Sequence, residues 1–429
     1  MHHSRRTNSG ASARALAAAV TVAVLAAAVP SQAALSCSTV ARRNQLDPAS
    51  DVFGNRFRDT LATSATGHDV FTARPRHAFE KLYQRKPDGS VAIIAATFAP
   101  LPNDSFIGGH IPFREVSVND GGDVAFLSYT TRGRTILVKR TAIPLQVGPR
   151  AGGLSPLTDV RFDGIQALSS LGTDRIVAFA AELRNGRRGI FTFNSILDAT
   201  AIVLLDGTPT LAGRELCTFE DVERVDGGVL AIVAGTQADC DDTTETALQG
   251  LHLVTPGGVE TLARVGDATP IAGTTYRKIV GSPERNAAGD ILFRARLAGA
   301  TTAERTFVRT AATGTIAAVV APGDALPIGG TVKGVRDVHL AADGSVLFHA
   351  DVTGNADERF GIFRATAGVI APLVLGSSLP PADEFTPPSS FAAFEPSFAA
   401  SRDGSAIALV ARVRDGSRPR SKTGVLRCH

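Results

Sequence analysis

The segment Val118-Asn119-Asp120-Gly121-Gly122-Asp123-Val124-Ala125-Phe126 has the pattern of a tight turn followed by a strand. Asn, Asp and Gly favour the backbone conformations of hairpin turns, and the apolar run after them is typical of a strand. The same pattern returns at residues 286–293 and 341–348. Weaker copies lie at 65–71, 172–179, 225–231 and 402–407.

One glycine in each copy serves as an anchor, and successive anchors are 50 to 61 residues apart. A repeat of this length is typical of propellers and solenoids. Apolar stretches around each turn give four short strands per unit, separated by Gly, Pro and Asp turns. The sequence therefore predicts an all-β fold, a seven-bladed β-propeller of four-stranded antiparallel blades. A parallel β-helix is the lesser alternative, because its coils are much shorter. The anchors are Gly67, Gly122, Gly172, Gly228, Gly289, Gly344 and Gly404.

We expect residues 34–429 to form a single β-propeller domain. The last unit has too few strands of its own, so we expect residues 34–55 to pair beside Gly424–Arg427 and close the ring. Closure of this kind removes free sheet edges. The expected blade limits are 56–111, 112–157, 158–215, 216–274, 275–331, 332–385 and 386–429.

Residues 1–33 have the pattern of a targeting segment. Three Arg and no acidic residue accompany an apolar run, residues 15–29, which is shorter than the ~20 residues of a membrane span. Small residues follow, ending at Ala33. This pattern predicts a Sec-type signal peptide cleaved after Ala33 and a secreted or periplasmic protein, with a membrane anchor as the alternative.

The charge of the chain is balanced overall but uneven along it. The sequence has 44 Lys and Arg and 41 Asp and Glu, and three of the Arg lie within residues 1–33. The mature chain therefore has no net charge that would attract nucleic acid or an anionic membrane. No later apolar run is long enough to span a bilayer. The fourth unit carries a net charge of −8, whereas the seventh, first and second units together carry +9.

The four cysteines predict two disulfides in an exported chain. Ring closure would bring Cys37 to Cys428, and Cys217 lies in the same predicted blade as Cys240. We predict these two pairings. No Cys or His spacing is typical of a zinc site.

Asn119, Gly122, Ala125 and Phe126 match the pattern N-x-x-G-x-x-A-F. Over most of its mature length the chain resembles the bacterial secreted proteins with tandem NxxGxxAF repeats. The resemblance implies export and a repeat architecture. It implies no established activity and adds no catalytic residues.

Several acidic residues are candidates for binding or catalysis. Asp267 and Asp324 occupy matching loops, where the favoured interpretation is a turn cap rather than a cation ligand. His349 beside Asp351 resembles an acid–base couple, but strand alternation favours a packed strand residue. The remaining candidates flank Cys240, match no EF-hand spacing, and are interpreted as a solvated loop or a partner-binding acidic rim. They are Asp239, Asp241, Asp242 and Glu245.

Two classes of function remain. No HExxH or GxSxG motif is present, and three Tyr with no Trp disfavour a lectin-like site. The favoured class is an exported, non-enzymatic scaffold, monomeric and without a cofactor, that binds a charged extracellular or periplasmic partner. The alternative is a hydrolase or lyase with its site at the ring axis, where polar residues from several blades should converge.

Overall fold

The structure, a computed structural model, describes residues 35–429 except 103–104, 109–112, 225–227, 243, 300–303, 379, 382–388 and 416–421. The predicted signal peptide, its cleavage site after Ala33 and part of the fourth turn at 225–227 lie outside the described residues. Within the described part, 29 strands form seven antiparallel sheets. That part of the chain contains no helix long and apolar enough to cross a bilayer.

The strands of each blade follow one another along the chain, so hairpins connect them. The N-terminal strand is β1 (Cys37–Arg42). The first blade has β2 (Phe53–Thr63), β3 (Asp69–Pro75), β4 (Lys81–Arg85) and β5 (Val91–Ala96). The second has β6 (Phe113–Val118), β7 (Val124–Thr130), β8 (Gly133–Lys139) and β9 (Gln146–Arg150). The third has β10 (Phe162–Leu168), β11 (Ile176–Leu183), β12 (Arg188–Asn194) and β13 (Ala199–Leu205).

The fourth blade gains a fifth strand of two residues at its edge, which the sequence did not predict. Its strands are β14 (Thr208–Pro209), β15 (Glu215–Arg224), β16 (Leu230–Gln237), β17 (Leu248–Thr255) and β18 (Gly258–Arg264). The fifth blade has β19 (Thr275–Arg285), β20 (Ile291–Ala298), β21 (Glu304–Arg309) and β22 (Ile316–Val320). The sixth has β23 (Thr331–Leu340), β24 (Val346–Thr353), β25 (Phe360–Thr366) and β26 (Val369–Leu375). The seventh has β27 (Ser389–Ala400), β28 (Ile407–Asp415) and β29 (Lys422–Cys428).

The N-terminal strand completes the seventh blade, as the sequence predicts. β1 pairs antiparallel with β29, and Cys37 lies opposite Cys428 in the register. A disulfide joins these two residues. The second predicted disulfide, Cys217–Cys240, is also present and lies within the fourth blade. Two disulfides fit an oxidising extracellular or periplasmic location.

Aromatic pairs fill the blades at equivalent positions. In the third blade, Phe179 of β11 stacks on Phe191 of β12 with ring centroids 5.5 Å apart. The second and third strands of three other blades carry the same kind of pair, and these rings are buried. Most of the Phe content therefore packs in the core, as its position in alternating strands predicts. The other pairs are Phe71–Tyr83, Phe293–Phe307 and Phe348–Phe363.

The Asn-x-x-Gly segments form the turns between the first two strands of a blade. Gly122 has φ of 77°, a left-handed conformation that favours glycine. The side chain of Asn119 accepts a hydrogen bond from the Asp123 N–H at 2.9 Å. It also donates to the Gly172 carbonyl of the next blade at 3.2 Å, so the turn residue ties neighbouring blades together.

The third anchor is wrong by three residues. The Gly172 N–H bonds the Ile176 carbonyl, as the Asn119 N–H bonds that of Asp123, so Gly172 begins the turn. The left-handed position belongs instead to Arg175, with φ of 61°. A glycine can occupy either the first position of such a turn or the left-handed position. In a short stretch of sequence these two placements look the same, so the sequence pattern assigns the anchor to the wrong residue.

Candidate functional site

A cavity of about 400 Å³ lies where the first strands of the blades converge. All seven blades contribute to its wall. Polar residues from several blades therefore do meet at the axis, as the enzymatic alternative requires. Polar residues of its wall include Ser117, Ser170, Glu223, Glu284, Asp337, His339 and Arg402.

The acidic residues at the axis tie neighbouring blades together. Glu284 of the fifth blade accepts the Leu340 N–H of the sixth at 2.7 Å. Asp337 of the sixth blade accepts the Phe398 N–H of the seventh at 3.1 Å. These carboxylates satisfy backbone donors that no strand partner reaches.

Two further carboxylates converge on the third blade. Glu115 of the second blade accepts the Leu168 N–H at 2.6 Å, and Glu223 of the fourth accepts the Ser170 N–H at 3.2 Å. The Glu115 side chain is exposed, yet the surrounding blades displace much of its hydration. This burial raises the pKa of Glu115, and likewise that of Glu223, to about 7.

His339 is held between carboxylates. Its Nδ1 lies 2.7 Å from Oε1 of Glu284, and its Nε2 lies 2.8 Å from the Phe398 carbonyl and 3.8 Å from Oδ2 of Asp337. Burial by itself lowers the pKa of His339, but the Glu284 and Asp337 carboxylates outweigh it and raise the pKa to about 10. The imidazole is therefore protonated at neutral pH and donates through both nitrogens.

Sequence reasoning missed these axial residues because bulges redirect their side chains. The register of β15 shifts between Phe219 and Asp221, and that of β23 shifts between Val335 and Asp337. A bulge interrupts the alternation of side chains between the two faces of a strand. The face on which an acidic residue of β15 or β23 lies therefore cannot be found by counting residues along the strand. A usable signal exists in the spacing, since these residues lie five or seven positions before an anchor glycine. They are Glu115, Asp221 and Asp337 at seven, and Glu223, Glu284 and His339 at five.

The predicted acidic rim lies away from this cavity. We name Asp239, Asp241, Asp242 and Glu245 the acidic loop, which connects β16 to β17. The first three are exposed, and Glu245 is half-buried beside Arg214, with which it forms an ion pair. The structure therefore does not bring the acidic loop and the axial carboxylates together.

Hydrogen bonds organise the acidic loop. Asp239 accepts the Asp241 N–H at 2.9 Å, and Asp242 accepts the Thr244 N–H at 2.8 Å. The bonds from Thr244 lower the pKa of Asp242, which stays negatively charged. Within the described residues, no group of three or more His, Cys, Asp or Glu side chains has a geometry that would hold a metal ion.

The other candidates have local structural roles. Asp267 accepts the Arg264 N–H at 3.0 Å, and Asp324 accepts the Ala321 N–H at 2.8 Å, so both cap equivalent turns. His349 is buried on β24, with its Nδ1 2.9 Å from the Pro396 carbonyl.

Asp351, the predicted partner of that histidine, instead pairs with Arg336 at 2.9 Å. The two residues therefore do not form an acid–base couple.

Comparison with known proteins places the chain in a family. Residues 6–328 match the family described as "Family of unknown function (DUF7453)", and the chain belongs to that family. No curated protein matches the sequence.

Several solved structures are similar in architecture. The beta-propeller domain of the Trilobed protease from Pyrococcus furiosus is 10% identical, with a TM-score of 0.47 over 86% of this chain and 94% of that one. The polysaccharide lyase Uly1 is 9% identical, with a TM-score of 0.45 over 90% and 94%. Puromycin hydrolase is 14% identical, with a TM-score of 0.46 over 87% of this chain and 53% of the hydrolase. The chain thus spans about half the length of that hydrolase, and no residue role is carried over from these structures.

Proposed function

We propose that the chain is an exported, non-enzymatic β-propeller scaffold that binds a cationic extracellular or periplasmic protein through its acidic loop. The observation that carries this proposal is the way the loop is fixed. Cys240, in the middle of the loop, is bonded to Cys217, and its N–H donates to Glu215 at 3.1 Å. A charged surface held rigid before binding loses little conformational entropy when a partner docks.

Export is part of the proposal. The predicted signal peptide over residues 1–33, the two disulfides and the resemblance to secreted NxxGxxAF proteins support it together. The scaffold is proposed to act as a monomer, without a cofactor.

The contacts of the axial carboxylates support a structural rather than a catalytic role for the axial cavity. Each of Glu115, Glu223, Glu284 and Asp337 accepts a backbone N–H from a neighbouring blade. His339 is engaged at both nitrogens by protein acceptors. These contacts join the blades at the axis, where the ladders of the described strands stay within their own sheets.

The test is partner capture with a variant that removes charge but keeps the loop. Asn at positions 239, 241 and 242 retains the carbonyl oxygen that accepts each capping hydrogen bond. The triple Asp→Asn variant should lose its captured proteins at physiological salt, because charge complementarity governs the encounter. The matched control replaces three exposed aspartates elsewhere, Asp88, Asp163 and Asp357, by Asn. The same capture profile for the loop variant and the unmodified protein would reject the acidic loop as the binding surface.

The second candidate is a hydrolase or lyase acting in the axial cavity. Glu223 favours it, because a carboxyl group with a pKa of about 7 suits general acid–base catalysis near neutral pH. If this alternative holds, a substrate will be turned over and Glu223→Gln will abolish turnover without unfolding the ring. Turnover of that kind would reject the non-enzymatic proposal.

A further inference from the structure

An exposed aromatic surface lies on the first blade. Phe79 follows β3 and is 57% exposed, and Phe98 follows β5 and is 54% exposed. Their rings meet edge to face with centroids 4.6 Å apart. Phe106, 45% exposed, is adjacent because the Phe98 N–H donates to the Ile107 carbonyl at 2.6 Å. We name Phe79, Phe98 and Phe106 the aromatic patch.

Phe98 is energetically unfavourable in two respects, its backbone conformation and the exposure of its ring to water. Its φ of 65° is in the left-handed region, which bulky residues rarely adopt. Strained positions of this kind concentrate at functional sites. The exposed ring also forgoes the burial that most Phe residues of this chain achieve. Both observations indicate that the patch serves contact with something outside the chain.

Three exposed arginines lie on the segments that flank the aromatic patch. Arg74 and Arg76 are exposed and lie in or beside the turn that carries Phe79. On the other side, the Thr131 N–H donates to the Phe106 carbonyl at 3.0 Å, which brings the exposed Arg132 next to the patch. The surface is therefore apolar at its centre and cationic at its border.

Two of the described carboxylates near the patch are paired with cations of the chain. Glu80 is buried and pairs with Arg58 at 3.1 Å. Asp47 is buried and bonds the Lys81 ammonium at 2.7 Å.

Asp51, on the loop beside the patch, accepts the His77 N–H at 3.2 Å. Among the described residues, Asp51 can offset at most one of the three arginines, so the exposed border keeps a positive excess.

We propose that the aromatic patch docks the ring on the surface of an anionic lipid bilayer. Aromatic side chains enter the boundary between headgroups and acyl chains, while nearby arginines bind lipid phosphates. The zero net charge of the mature chain does not oppose this, because charges farther away than about 8–10 Å are screened at ordinary salt. The charge that matters is that of the patch and its border.

The topology also sets an orientation. In every blade, the loop from the second to the third strand and the connection to the next blade lie at the same end of the sheet. The aromatic patch and the acidic loop therefore share one face of the ring, three blades apart. An anionic bilayer repels the acidic loop, so the ring should contact the membrane by the edge at its first and second blades.

The test is co-sedimentation of the protein, purified from the periplasm or the medium, with lipid vesicles. We expect partitioning to vesicles of phosphatidylcholine and phosphatidylglycerol at about 3:1, and little to phosphatidylcholine alone. The double variant Phe79→Ser/Phe98→Ser should partition about tenfold less. Arg74→Gln/Arg76→Gln should lose the preference for phosphatidylglycerol. The control Ile196→Ser/Leu197→Ser removes residues that are 51% and 72% exposed at the opposite end of a blade, and should not change partitioning.

Thermal melting of each variant shows whether it is folded. This proposal is independent of the acidic loop as a protein-binding surface. The variant with Asp239→Asn, Asp241→Asn and Asp242→Asn should therefore bind these vesicles at least as well as the unmodified protein. Absence of partitioning by the unmodified protein would overturn the proposal, as would an equal loss in the Ile196→Ser/Leu197→Ser control. A dimer in light scattering that the Phe79→Ser/Phe98→Ser variant abolishes, without vesicle binding, would instead make the patch a contact between two copies.

Discussion

Arg427 and Asp69 are 358 residues apart in sequence and form a buried ion pair between the last and first blades. The Nη1 of Arg427 lies 2.7 Å from Oδ1 of Asp69, and the side chains are 9% and 1% exposed. Nη2 donates to the Ser64 carbonyl at 3.0 Å. The ring is therefore closed twice, by strand β1 within the seventh blade and by this charge pair at its border with the first.

Loss of the pair should destabilise the whole ring. Arg427→Met leaves Asp69 buried with Arg85 as its remaining cation, so we expect the free energy of unfolding to fall by about 3 kcal/mol. Urea denaturation measures this change. The control is Arg412→Met in the same blade, which breaks an exposed pair with Glu395 and should change stability by less than about 1 kcal/mol. Equal losses in the two variants would show that Arg427 contributes no more than a surface arginine.

The two disulfides should contribute unequally. Cys37–Cys428 spans 391 residues of sequence and Cys217–Cys240 spans 23. In the chain-entropy view, the longer loop restricts the unfolded chain more, by about 6 against about 3 kcal/mol. Replacing Cys37 and Cys428 by Ser should therefore lower the midpoint of urea unfolding more than replacing Cys217 and Cys240. A reversed order would show that the staple in the fourth blade, rather than ring closure, governs stability.

The stability of the ring should depend on the protonation of Glu223. Burial raises the pKa of Glu223 from 4.5 to about 7, so the folded chain holds a proton that the unfolded chain releases between these values. The free energy of unfolding attributable to Glu223 therefore falls as pH rises through that window. Gln at this position keeps an oxygen for the Ser170 N–H and carries no charge.

Glu223→Gln should accordingly be more stable relative to the unmodified protein at pH 7.5 than at pH 5. Urea unfolding of the variant and the unmodified protein at the two pH values measures this difference. A difference that does not change with pH would contradict the assignment.

His339 should titrate far above an ordinary histidine. Its pKa of about 10 depends on Glu284 and Asp337, so Glu284→Gln should lower the value measured by NMR titration of the imidazole. Because the folded pKa lies above 6.5, this pairing stabilises the folded chain fully below that value, and the contribution is lost as pH rises through about 10. His252, buried on β17 with a pKa of about 4, is the control and should not respond. A normal pKa for His339 in the unmodified protein would contradict the proposed contacts.

The seven four-stranded blades, the ring closure and both disulfides could be predicted, because they depend on where turns fall along the chain and on which chain ends must meet. The axial site could not, since bulges at Asp221 and Asp337 place those acids where alternation does not. The contacts of Glu284 and His339 reach across blades, and no local pattern encodes them. The exposure of Phe98 could not be predicted either, because its sequence neighbours resemble those of a buried strand.

The anchor glycines should differ in their tolerance of a side chain. Gly122 and Gly228 have φ of 77° and 80°, so alanine at either position meets left-handed strain of about 1–2 kcal/mol. At Gly122 the new Cβ would also lie 2.5 Å from the His68 imidazole of the first blade, whereas no atom of the described residues lies within 4 Å at Gly228. Gly122→Ala should therefore destabilise the ring more than Gly228→Ala, as measured by urea unfolding. In a His68→Ala background the clash is absent, so the cost of Gly122→Ala should fall to that of Gly228→Ala. An unchanged cost in that double-mutant cycle would contradict the contact between the first two turns.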